Sequence, residues 1–195
     1  MKGYPHIMVF GRDKKKPRPY EGPRTASDIV SAGLKLLETD GVPPEVEQLL
    51  GSDGFTAACT ASGRQACLLA FLPAIIDTTA AARTRSLEIL SKGAGAFMSR
   101  PWGWAWLEAG AQPALEAALG VSQYPSVVMV NAKKGVASRM RSALSDANLK
   151  EFLNVVPHAE PVTLPDASSL GTTQAWDGKD APPPETVDEI PLDEL

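Results

Sequence analysis

A Tyr-Pro dipeptide opening a short apolar run occurs twice in this chain of 195 residues, and the repeat constrains the fold more than any other feature. The first copy is Tyr4-Pro5-His6-Ile7-Met8-Val9-Phe10 and the second is Tyr124-Pro125-Ser126-Val127-Val128-Met129-Val130. Both runs are rich in β-branched residues, as a buried strand is. Each leads into a basic turn, Gly11–Lys16 in one and Asn131–Gly135 in the other, and then into a second short segment. A capped helix follows in both copies. Thr25 or Ser27 can cap the first, with Ile29, Val30, Gly33, Leu34 and Leu37 along one side. Ser145 can cap the second, whose apolar side is Leu149, Phe152 and Leu153. Strand, hairpin, strand, helix is thus a unit used twice.

The copies differ in what precedes them. Only the second has a long stretch upstream, and that stretch reads as further elements. Val46–Leu50 is a short apolar run after Pro43-Pro44, and Ser52–Ser62 is helix-compatible up to Gly63. Gln65–Leu72 is continuously apolar, as a central strand covered on both faces should be. Thr79–Phe97 is a long helix candidate, Trp102–Leu107 a strand, and Pro113–Leu119 a short helix stopped by Gly120. The order β-α-β-α-β-α-β-β-α implies a mixed central sheet flanked by helices. With Tyr-Pro entering the fourth strand, this is the order of the thioredoxin fold, an α/β architecture, and it predicts a cis bond at Tyr124–Pro125. Residues 43–156 form the complete domain in this reading. Residues 1–40 are the C-terminal third of another such domain, lacking the strands its sheet needs and therefore expected to dock elsewhere, swap or move.

Composition excludes several function classes. The chain holds two Cys and two His, His6 and His158, too few for a Cys- or His-based metal site. It contains no apolar run long enough to span a bilayer, and residues 1–20, with Lys14–Lys16, show no secretory leader. From His158 to Leu195 nine acidic residues face Lys179 alone, so the net charge of −4 divides into −8 there and +4 elsewhere. Lys14–Lys16 and Lys133–Lys134 are too sparse for a nucleic-acid footprint. Residues 157–195 lose periodicity and include Pro182-Pro183-Pro184, so they read as a disordered acidic tail whose removal near Val156 leaves stability intact.

Several stretches together resemble a known family. They are Tyr20-Glu21-Gly22-Pro23-Arg24-Thr25-Ala26-Ser27-Asp28-Ile29-Val30, Val42-Pro43-Pro44-Glu45-Val46, Trp102-Gly103-Trp104-Ala105-Trp106, Glu108-Ala109-Gly110-Ala111-Gln112, and Trp176-Asp177-Gly178-Lys179-Asp180. Over nearly its whole length the chain resembles the C-terminal region of endoplasmic-reticulum protein disulfide-isomerases. The type is the one with two active thioredoxin domains, then one inactive domain and an acidic tail. The resemblance implies thiol–disulfide exchange on client proteins through a Cys-x-x-Cys at a helix start, where the helix N-terminus lowers one thiol's pKa and the second thiol resolves the mixed disulfide. At the equivalent place this chain carries Pro73-Ala74-Ile75-Ile76-Asp77, without cysteine. The expectation is no catalytic residue and no exchange from this chain alone. If the full protein is an oxidoreductase, its motif lies upstream of Met1.

The resemblance sorts the remaining features. Cys59 and Cys67 read as a structural disulfide, as two buried thiols or as a redox pair, and the oxidising compartment implied by the resemblance favours the disulfide. Trp102, Trp104 and Trp106 share one face of a strand, either as core under a helix or as an apolar surface that holds unfolded clients. Pro5 and Pro125 are the two cis-proline candidates. The last four residues, Leu192-Asp193-Glu194-Leu195, are similar to a luminal retrieval signal. No cofactor is expected; the dispersed tail carboxylates allow only weak calcium binding. The expected role is a non-catalytic module of a disulfide-isomerase in the endoplasmic-reticulum lumen. It would bind unfolded or disulfide-containing clients, or partner chaperones, with no nucleic acid and no membrane span. A redox sensor built on Cys59 and Cys67 is the remaining alternative.

Overall fold

In the computed structural model, residues 6–11, 13–155 and 159–183 are described. The chain begins with β1 (Met8–Val9), β2 (Arg18–Pro19) and α1 (Ala26–Asp40). It continues with β3 (Glu47–Gln48), α2 (Ser52–Phe55), a π-helical turn at Thr56–Thr60 and β4 (Ala66–Leu72). Then come α3 (Ala80–Ala96), β5 (Trp102–Glu108), α4 (Pro113–Ala118), β6 (Ser126–Asn131), β7 (Val136–Arg139), α5 (Asp146–Val155) and β8 (Glu160–Pro161). The main sheet runs β3-β5-β4-β6-β7-β8; β3, β5 and β4 are parallel, and β6 turns antiparallel to β4.

The apolar run of β4 is explained by its place. It is central, and both of its faces are covered. Leu69 and Phe71 face a core closed by Phe55, Leu115 and Leu119, whereas Leu68, Ala70 and Leu72 face Leu90 of α3 and Leu149, Phe152 and Leu153 of α5. The helix expected over Ser52–Ser62 is instead one α-turn followed by the π-turn. Its backbone rides directly on β5: a Cβ at Gly103 would collide with the Ala58 carbonyl, so only glycine permits the approach. Cys59 and Cys67 are joined by a disulfide that ties this turn to β4, with the two Cα atoms 4.8 Å apart. Ser145 accepts from the Asn148 N–H at the start of α5. The Tyr124–Pro125 peptide bond is cis.

The reading of 157–195 as a disordered tail does not hold for residues 159–183. β8 adds to the edge of the sheet beside β7, and Val162 N–H donates to the Gly135 carbonyl. From there Val162, Leu164 and Ala167 lie against the core, and Leu170 is buried within it. The segment crosses that face and ends beside β3, where Thr173 N–H donates to the Leu50 carbonyl at 2.8 Å. These apolar residues have neither helical nor strand spacing and stand among prolines and acids, so periodicity could not reveal them. The folded body therefore extends well past residue 156. The retrieval-like Leu192, Asp193, Glu194 and Leu195, and with Glu185, Asp188 and Glu189 five of the nine acidic residues, lie outside the described residues.

At the other end, β1 and β2 form a separate antiparallel pair. Thr25 caps α1 by accepting from Asp28 N–H. Met8, Phe10, Ile29, Val30, Leu34 and Leu37 are all exposed. Pro5 lies outside the described residues.

Candidate functional site

The ends of β4 and β5 and the start of β6 meet at one edge of the sheet, beside the cis Tyr124–Pro125 bond. Pro73 follows β4, and Ile75–Asp77 makes a single 3-10 turn before Thr79 caps α3 by accepting from Ala82 N–H. Neither cysteine is near. Cys67 is the second residue of β4, about 16 Å along the strand from Leu72 at the usual rise per residue. Ile76 is 79 % exposed on the turn, and Tyr124, which precedes the cis-proline, is half-exposed.

An ion pair with a buried cation fixes this turn. Arg83, with a fully buried side chain, donates from Nη1 to Glu108 Oε2 at 2.9 Å. Its Nη2 donates to the Pro73 carbonyl at 2.6 Å. The second oxygen of Glu108 accepts from Ile75 N–H at 2.9 Å. The guanidinium carbon lies 5.4 Å from the Trp106 ring and 5.2 Å from the Trp176 ring, so the cation is held between two indoles. Such a pair is costly to break on the Glu108 side, because Arg83 would then be a buried uncompensated charge, whereas the Glu108 side chain is partly exposed.

A second polar group braces the loop of the cis bond. Buried Glu116 accepts from Gly110 N–H at 2.9 Å and from the Tyr124 hydroxyl. The hydrogen bond to this carboxylate, then burial, push the Tyr124 phenol up to about 12 from 10.0.

The residues singled out from sequence distribute unevenly over this geometry. Pro125 sits in the site. Two tryptophans of the ladder lie in the core: Trp104 and Trp106 are each 4 % exposed under α3 and α5, and half-buried Trp102 stacks on Phe97. The reason is that α3 and α5 pack over that face of the sheet. Cys59 and Cys67 are buried at the far end of the sheet, in the core opposite the ladder. Among the tail carboxylates, Asp166 accepts from Ser168 and is held below the usual carboxylate range by those hydrogen bonds, while Asp180 accepts from Ala80 N–H at the start of α3. Sequence reasoning missed Arg83, Glu116 and Trp176 as site residues. Arg83 had a signal: it lies one turn before Leu87 on the stripe continuing to Leu90 and Ala94, where a charge needs a buried partner.

Comparison with known proteins settles the family. Residues 37–160 match the family profile described as "PDIA6-like, C-terminal thioredoxin-like domain". The chain belongs to this family. It is 39% identical over 201 residues to protein disulfide-isomerase like 2-2 of Arabidopsis thaliana, covering 100% of this chain and 44% of that protein. It is 38% identical over 199 residues to protein disulfide isomerase-like 2-3 of Oryza sativa subsp. japonica, again covering 100% and 44%. Mouse protein disulfide-isomerase A6 is 37% identical over 201 residues, with 100% and 45% covered. The chain thus spans a little under half the length of these relatives. The thioredoxin-like order read from the sequence matches the family's C-terminal thioredoxin-like domain. Among the described residues no helix is long and apolar enough to cross a membrane.

Proposed function

We propose that this chain serves protein folding by holding client or partner polypeptides without itself exchanging disulfides. The observation that carries the reading is the turn at the cis-proline edge. Where an active relative needs a low-pKa thiol at a helix start, this chain has Pro73–Asp77 pinned by the Arg83–Glu108 pair. The edge keeps a surface for contact, since Ile76 and Tyr124 present apolar area beside Pro125. A redox sensor built on Cys59 and Cys67 is disfavoured by access, because their residual exposures are 2% and 0% and an attacking thiolate must reach a sulfur.

Two assays on the same protein test this. Insulin reduction by dithiothreitol should proceed at the uncatalysed rate with the chain present. Aggregation of a reduced, denatured client should be suppressed. Catalysed reduction that disappears with Cys59→Ser would replace the reading with the redox one, and failure to hold any client would remove it.

A second reading has its own support. Relatives are more than twice as long as the matched stretch, and the bare faces of β1–β2 and α1 match the part of the repeat that strands cover in the second copy. In this reading the chain is the end of a full disulfide oxidoreductase whose Cys-x-x-Cys precedes Met1, and residues 1–40 complete that active domain. Its setting is the endoplasmic-reticulum lumen, retained through Leu192–Leu195. The intact mass of the endogenous protein, captured with an antibody to residues 171–183, decides: a value near 20.7 kDa means the short binding module, and a much larger one means the complete enzyme. Removal of the last four residues should divert the protein to the medium if they act in retrieval.

A further inference from the structure

Residues 159–170 and residues 171–183 lie on the domain in different ways. The first stretch is anchored by apolar side chains, ending with Leu170 at 7 % exposed. The second, here termed the strap, is almost wholly at the surface; only Thr173, Trp176 and Ala181 are half-buried. Its grip is of the kind that one extended peptide makes on a groove. The Gln48 side chain donates to the Gln174 carbonyl at 3.4 Å and accepts from Trp176 N–H at 2.8 Å. The Leu50 carbonyl accepts from Thr173 N–H. The Trp176 indole covers the Arg83 guanidinium and meets Trp106 edge-on at 6.2 Å. Asp180 places its carboxylate on the Ala80 N–H at the start of α3, where the helix dipole favours a negative charge.

The groove beneath is built from the domain alone. Its backbone-binding groups are Gln48 and Leu50, its aromatic seat is Arg83, and its carboxylate seat is the first turn of α3. The strap does not fill it. A cavity of about 490 Å³ remains between Gln48, Ile75 and Glu108 on the domain and Thr173, Trp176 and Asp177 on the strap. Beyond Gly171, whose carbonyl accepts from the buried Gln112 side chain at 2.6 Å, the strap is held by a few hydrogen bonds and one ring, and such a segment opens locally without global unfolding.

We propose that the strap is a built-in occupant of a peptide groove, displaced in function by an extended client segment carrying an aromatic side chain and, four residues later, a carboxylate. The strap shows this pattern itself, in Trp176 and Asp180. Main-chain bonds to Gln48 and Leu50 supply affinity without regard to sequence, and the Arg83 face and the α3 start supply selectivity. The groove adjoins the Ile75 turn at the cis-proline edge, so a client held there lies beside the site where active relatives carry their thiols. This inference rests on the reading of the chain as a client-holding module.

The test uses the full chain carrying Trp176→Ala, which frees the strap, and a synthetic peptide with the sequence of residues 171–183. The variant should melt cooperatively, be cleaved by trypsin after Lys179 faster than the parent, and bind the peptide at least tenfold more tightly than the parent. The same peptide with Trp176→Ala should lose at least tenfold in affinity. A peptide retaining only the Trp and the acid four residues on, in a Gly-Ser frame, should still bind. The proposal is overturned if the variant loses its cooperative transition, because the strap is then part of the fold. It is equally overturned if the folded variant binds neither peptide, or binds only the strap's own sequence. Client aggregation, followed in parallel, separates the failures: holding without peptide binding removes the groove alone, and loss of both removes the reading beneath it.

Discussion

Two helices, α1 and α5, each follow a short hairpin and each carry an apolar stripe. Ile29, Val30, Leu34 and Leu37 of α1 are 38%, 59%, 44% and 43% exposed, whereas Leu149, Phe152 and Leu153 of α5 are 1%, 5% and 2% exposed. The hairpins differ in the same sense. β6 pairs along β4 over five residues, while among the described residues β1 pairs with β2 alone. An apolar stripe therefore specifies that a helix has a side to bury, not what covers it. Each large side chain so buried contributes about 1.5–3 kcal/mol. The second unit gains that stabilisation from β4 and β5, and the first gains little of it from this chain.

The contrast gives predictions of graded size. Trp104→Ala should cost roughly 3–5 kcal/mol, the range for emptying a core aromatic site, whereas Leu34→Ala on α1 should stay within about 0.5 kcal/mol. Chemical denaturation of both variants measures this, and equal costs would erase the distinction between the two units. Leu170→Ala should cost roughly 2–3 kcal/mol, as a buried leucine does. Truncation after Val155 should lower the melting temperature further, contrary to what the polar composition of the tail suggests; an unchanged transition would return residues 159–170 to the status of a solvated tail. Amide exchange should be fast in α1 and slow in β4 and β6, and equal protection would mean that α1 is docked.

The smallest effect concerns the cis-proline loop. The folded-state pKa of Tyr124 is raised from 10.0 to about 12, chiefly by its hydrogen bond to Glu116. Between those values the folded state binds more protons than the unfolded one. The Tyr124 contribution is therefore fully present below pH 10 and lost as pH rises toward 12. Tyr124→Phe should flatten the fall of stability over that window, measured by denaturation at stepped pH. An unchanged slope would show that the hydroxyl is not coupled to Glu116.

Local pattern was enough for the elements that repeat a period. The uninterrupted apolar run at Ala66–Leu72, the alternation at Trp102–Leu107 and the capped stripes of α1, α3 and α5 give themselves away, because burial on one face or two writes a period into the residues. The second Tyr-Pro likewise marked the edge of the sheet where the site lies. What escaped was aperiodic or long-range. Arg83 is a surface-type residue until Glu108, 25 positions later in sequence, and Trp176 close around it. The tryptophans of β5 are equally compatible with core or surface until α3 and α5 are seen above them. Val162, Leu164, Ala167 and Leu170 became core only because a face of the sheet was left for them to cross. The sequence by itself determined the thioredoxin-like order and the lack of a thiol at the Pro73–Asp77 turn. Only the tertiary structure decided which apolar surfaces are covered and by what, since burial is a relation between segments distant in the chain and no local period encodes it.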